Sequence, residues 1–81
     1  MSKFNKKDIL YWINKELQKL TNDEDLKVTR TTKILDIPHL DSIIFVSFVI
    51  SFEDKYNVKI PMDQVVNDVD IDFFISLLLD L

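Results

Sequence analysis

The chain has no cysteine and no glycine, and only two prolines and one histidine among its 81 residues. Without cysteine there is no disulfide framework, no thiolate zinc site and no thiol nucleophile. Without glycine, few backbone positions reach positive φ at low cost, which favours helices over hairpin-rich sheets. The lack of glycine also excludes a glycine-rich phosphate loop and a dinucleotide fingerprint. Basic residues are in the minority, 10 against 14 acidic ones, for a net charge of −4. With no basic stripe in the sequence, nucleic acid is a poor partner. No segment approaches the roughly 20 apolar residues that a membrane-spanning helix needs. The opening MSKFNKKDIL carries lysines but no apolar h-region, so it does not read as a signal peptide. The expectation is a monomeric, cytoplasmic protein forming a single domain over residues 1–81.

What is present is helical periodicity. Hydrophobic residues make up 47% of the chain, too many for a disordered one and enough for a small core. From Asn5 to about Leu20, the residues Ile9, Trp12, Ile13, Leu17 and Leu20 fall on one face. Asn5 can cap this helix, with Asp8 three residues on, and Phe4 and Ile9 stand where a hydrophobic staple would lie. Thr21 to Asp41 reads as a long connection. Its acidic stretch, 22–25, reads as a solvated helix exit, Val28 as an anchor, and Ile34, Leu35 and Ile37 as residues that plug a core. Pro38 predicts an extended approach to the next helix.

The second helix is predicted over Ser42 to Tyr56, with Asp41-Ser42 as its N-terminal cap. Phe45, Phe48, Val49, Phe52 and Tyr56 share one arc; Ser47, Ser51, Asp54 and Lys55 mark the opposite, wet arc. Ile43, Ile44 and Ile50 lie on or beside the wet arc. This predicts either an exposed apolar patch next to Ser42 or a loop folded over it. Val58 to Ile60 reads as extended, Met62 to Asn67 as a short third helix after Pro61, and Ile71 to Leu81 as a fourth helix capped by Asp70. Ile71, Phe74, Ile75 and Leu78 are its core face, widened by Phe73, Leu77 and Leu81. The fold class expected is all-α: a small bundle of three longer helices and one short one, with a long first loop.

Two constellations fail on inspection. Asp68, Asp70 and Asp72 have the spacing of the start of an EF-hand loop. Such a loop needs glycine at its sixth position and glutamate at its twelfth, and here these are Phe73 and Leu79. A helix cap explains those acids better, and no metal site is expected. His39 lies three residues before Ser42, but one histidine without an oxyanion hole does not make a hydrolase. No catalytic residues are assigned.

From Asp41 onward the chain reads DSIIFVSFVISFEDKYNVKIP. An Asp-Ser-aliphatic start, an apolar helix, Glu-Asp near its end and a closing Ile60-Pro61 resemble the acyl carrier protein family, and the resemblance extends over the whole chain. It implies a non-enzymatic carrier. Ser42 would bear 4'-phosphopantetheine, attached through a phosphodiester by a phosphopantetheinyl transferase using coenzyme A, with Asp41 as part of the motif. Ile43, Ile44, Ser47 and Ile50 would meet partner enzymes that load and transfer acyl or aminoacyl groups, in fatty-acid or specialised acyl metabolism. His39 would be a loop residue near the prosthetic group. The chain departs from the family in two places. Carriers of fatty acids are acidic along the second helix, where this chain has Ile44, Ser47 and Ser51, with only Glu53 and Asp54 acidic. Where glycine commonly sits before the serine, this chain has Pro38-His39-Leu40. The Leu-Asp-Ser order is also similar to aminoacyl, D-alanyl and peptidyl carriers. A helical adaptor that never bears the arm, and binds partners through Ile43, Ile44 and Ile50, is the reading from a different class.

Overall fold

The computed structural model describes residues 4–61 and 69–80. Three α-helices, and no β-strand, occur among the described residues: α1 (Lys6–Thr21), α2 (Ser42–Tyr56) and α3 (Ile71–Leu79). Each opens on a side chain that accepts an otherwise orphaned backbone N–H: Asn5 from Lys7, Asp41 from Ile44 and Asp70 from Phe73. With no glycine available, α1 and α2 end on asparagines in the left-handed region, Asn22 at φ 55° and Asn57 at φ 54°. Asparagine is the usual substitute there. The short helix expected at Met62 to Asn67 lies outside the described residues. So does Leu81; the last helix stops at Leu79 and Asp80 closes it.

The helices meet over one apolar core. Ile9, Ile13 and Leu17 of α1, Phe48, Val49 and Phe52 of α2, and Ile71, Phe74, Ile75 and Leu78 of α3 are all buried. Aromatic rings fill its centre: Phe48 and Phe52 stand edge-on to Phe74 at 5.5 and 5.7 Å, and half-buried Trp12 borders both from α1. Edge-to-face contacts at such separations add to what ring burial supplies. Phe45, expected on the inward arc, is only half-buried against this core. Phe4 packs edge-on to Tyr56 at 5.5 Å, tying the chain's start to the end of α2.

The long connection is pinned to α1. Asn14 and Gln18, four residues apart on that helix, hold the backbone of Val28 and Leu26. Leu26 is therefore a second buried anchor beside Val28. Leu35 does not plug the core as expected. It is 77% exposed, because a single 3-10 turn over Ile34–Asp36 turns Ile34 inward and Leu35 outward. Further on, Ile34 donates to the Val69 carbonyl and Ile71 to the Thr32 carbonyl, both at 2.9 Å, so the connection is stitched to the start of α3.

Candidate functional site

At the start of α2, His39, Asp41 and Ser42 are all exposed. Ile37 is extended at φ −77° and ψ 121°, as a residue before proline must be. His39 then takes φ 65°, which reverses the chain direction. Leu40 follows, half-buried against the core. Asp41 caps α2: its Oδ1 accepts the Ile44 amide at 2.8 Å, and its carbonyl accepts from Phe45 at 2.9 Å. The cap is thus Asp41 alone. Ser42 is the first helical residue, exposed, and among the described residues its hydroxyl has no hydrogen-bond partner.

The amides of Ser42 and Ile43 likewise find no acceptor among the described residues. The contrast with α3 is informative. There the amides of Ile71 and Asp72 donate to the carbonyls of Thr32 and Arg30, and Phe73 to Asp70. Among the described residues, one helix start is covered by the connection and the other is not. There the positive end of the helix dipole meets two N–H groups and a hydroxyl that have no partner among the described residues.

Beside Ser42 lies a shallow depression of about 320 Å³, lined by Ser42, Ile43, Val46 and Ser47. Of the residues expected at a partner surface, Ile43 is 78% exposed and Ile50 54% exposed, so no described loop covers them. Ile44 is half-buried, a correction to its place on the wet arc: it stands four residues before buried Phe48 and shares that side of the helix. Ser47 is half-buried too. Val46, which the sequence reading left unassigned, completes an apolar stripe with Ile43 and Ile50. The signal was there in the spacing 43, 46, 50, one face of a helix.

The acids of α2 are fewer at the surface than the sequence suggested. Glu53 is half-buried and accepts the Ile60 amide at 2.7 Å, so it ties Ile60 of the Ile-Pro pair to the helix instead of facing partners. His39 is exposed, with its Nε2 at 3.8 Å from Asp23. Asp70 caps α3 and Asp72 meets Arg30 Nε at 2.8 Å, while Asp68 lies outside the described residues. No group of His, Asp or Glu that could hold a metal occurs among the described residues. No described helix is long and apolar enough to cross a membrane.

Comparison with protein-family models, with curated proteins and with solved structures finds no match.

Proposed function

We propose that this chain is a carrier protein of the acyl carrier type, with Ser42 as the attachment point of 4'-phosphopantetheine. The observation that carries the reading is the start of α2, where Ser42 is exposed and, among the described residues, neither its hydroxyl nor the amides of Ser42 and Ile43 have a hydrogen-bond partner. A phosphodiester placed there gains hydrogen bonds from those amides and the favourable end of the helix dipole. The N-terminal cap is held by Asp41, so Ser42 is free for modification without loss of the cap. The residues present therefore fit the group. Glu53 supports the unit from the other end by fixing Ile60.

A phosphopantetheinyl transferase would join Ser42 Oγ to the phosphorus of the pantetheine phosphate of coenzyme A, with release of the nucleotide. The arm supplies the thiol that the chain lacks, and thioester chemistry then belongs to the arm and to partner enzymes. The protein's own contribution is to tether the cargo at high effective concentration near each partner. In this reading the fold is the small bundle of four helices that the resemblance implies. The cargo is an acyl group of fatty-acid or specialised acyl metabolism; an aminoacyl, D-alanyl or peptidyl group is the neighbouring alternative. The exposed stripe of Ile43, Val46 and Ile50 favours a second reading, an unmodified helical adaptor that uses the same face.

Intact mass after incubation with coenzyme A and a broad-specificity transferase separates the two. The carrier reading expects a gain of one phosphopantetheine, absent in Ser42→Ala. No gain, or a gain that persists in Ser42→Ala or maps to Ser47 or Ser51, overturns it.

A further inference from the structure

A second face of the molecule is built differently from the α2 surface. Lys7, Tyr11 and Lys15 stand at four-residue intervals along α1, next to a parallel row of Leu10, Asn14 and Gln18. Hydrogen bonds from Asn14 to Val28 and from Gln18 to Leu26 lay the connection antiparallel to α1, and this brings Lys27 alongside the same rows. Together these residues line a groove of about 440 Å³. Its charged groups are three lysines and no carboxylate. Among the described residues none of the three is in an ion pair; the nearby Glu16 is taken by Lys19, outside the groove. Tyr11 is 65% exposed, and the Lys15 ammonium lies 5.4 Å from its ring centre. That cation–π contact holds the ring and the charge together at the groove's edge.

The groove gathers positive charge around an exposed ring on a chain whose net charge is −4. The overall negative charge repels a long polyanion such as nucleic acid, whose binding scales with the number of phosphates neutralised. A short segment carrying a few carboxylates and an apolar residue matches both the charges and the apolar surface of Leu10 and Tyr11. Complementarity of that kind steers encounter and fixes register. We propose that this groove docks an acidic, partly apolar peptide segment of a partner protein. The groove shares no lining residue with the depression beside Ser42. This inference does not depend on Ser42 being modified.

The test is a titration of the isotope-labelled full chain with a synthetic peptide alternating glutamate and leucine, followed by amide shifts. The expected result is shifts concentrated on Lys7, Leu10, Tyr11, Lys15, Gln18 and Lys27, with binding that weakens as salt rises. The variant Lys7→Gln/Lys15→Gln/Lys27→Gln is expected to keep its circular dichroism and lose roughly tenfold or more in affinity. Lack of shifts, shifts on α2 instead, or equal binding of a glutamine–leucine peptide overturns the proposal. Binding of an oligonucleotide or a phosphatidylserine vesicle at the groove where the peptide fails does so too.

Discussion

Asn14 and Val28 are joined twice: the Asn14 side chain accepts the Val28 amide at 2.7 Å and donates to the Val28 carbonyl at 3.1 Å, while the same Nδ2 also reaches the Leu10 carbonyl at 3.0 Å. A single side chain therefore supplies the connection with the backbone pairing that a neighbouring strand would otherwise give. Val28 is buried at this point, next to Leu26, whose carbonyl Gln18 holds. Asn14→Ala leaves both Val28 groups without these partners, and unsatisfied groups of this kind cost about 1–3 kcal/mol each where water cannot replace the lost bond. Both bonds are only part-buried, so water replaces part of what is lost, and urea denaturation of Asn14→Ala is expected to show a total loss of about 1–3 kcal/mol, with the helical dichroism retained before the transition. A loss below about 0.5 kcal/mol, as for an ordinary surface change, counts against this role.

Much of the helical frame is legible in the sequence. Caps at Asn5, Asp41 and Asp70 and the apolar spacing of α1, α2 and α3 place the helices and the core face of Ile71, Phe74, Ile75 and Leu78. The connection was less legible, because it has no periodicity: whether Leu26 or Leu35 goes inward depends on where Asn14 and Gln18 grip the backbone. At the candidate site, Asp and Ser are both good capping residues, and only the backbone geometry assigns the cap to Asp41 and frees Ser42. Glu53 looked like a surface charge because nothing in the sequence shows that the Ile60 amide returns to it. The lysine groove was invisible because Lys27 joins Lys7 and Lys15 only through the fold.

His39 at φ 65° bears a conformational cost that glycine would not. The left-handed region costs a side-chain-bearing residue roughly 1–2 kcal/mol. Glycine returns part of this, about 0.5–1 kcal/mol, through its greater entropy in the unfolded chain. His39→Gly is expected to stabilise the fold by about 0.5–1 kcal/mol in chemical denaturation, and His39→Val to destabilise it. The exposed contact with Asp23 at 3.8 Å adds little on the other side. Equal stabilities for the histidine, glycine and valine forms would remove the strain argument.

Tyr56 has its pKa raised above the ordinary 10.0, first by burial and then by the negative charge of Asp8. The sign follows. The folded state holds the phenol proton at a pH where the unfolded chain releases it, so this contribution is complete below pH 10.0 and is lost as pH rises through the folded pKa. Tyr56→Phe keeps the ring against Phe4, Trp12 and Phe52 and removes the ionisation. The difference in stability between the natural chain and Tyr56→Phe is expected to shift in favour of the phenylalanine form above pH 10.0. A difference that stays flat across that range means that Tyr56 ionises alike in both states.

On the proposed reading, the stripe of Ile43, Val46 and Ile50 is where partners would meet α2. Ile43 and Ile50 are both more than half exposed, so Ile43→Glu and Ile50→Glu are expected to change stability by no more than about 0.5 kcal/mol. If the stripe is the contact, the same substitutions weaken transfer to or from partner enzymes, and transfer in the natural chain falls only modestly with added salt. A steep salt dependence, with transfer indifferent to both glutamates, indicates that recognition is electrostatic and lies elsewhere.

If Ser42 bears the arm, as proposed, the packing of the core predicts a short cargo, or one that stays in solvent. To shelter a long acyl chain, the helices must part and admit it between them. Here Phe48, Phe52 and Phe74 are fully buried and in mutual contact, with ring centres 5.5 to 6.0 Å apart. Trp12 and Tyr56 close the same cluster from the side at 5.5 Å, and Phe73 stands edge-on to Phe74. A ring packed in this way turns aside only at the expense of its neighbours, because protein interiors are already as dense as organic crystals. Forcing extra methylenes into such a core costs typically about 1–3 kcal/mol. An acetyl, hydroxyacyl or aminoacyl group on the arm avoids that cost, and a long chain gains little by entering. Loading the arm with acyl groups of increasing length is therefore expected to leave the melting temperature unchanged. A steady rise in melting temperature with chain length means that the helices do open to take up the cargo, and that the aromatic cluster yields where its packing says it should not.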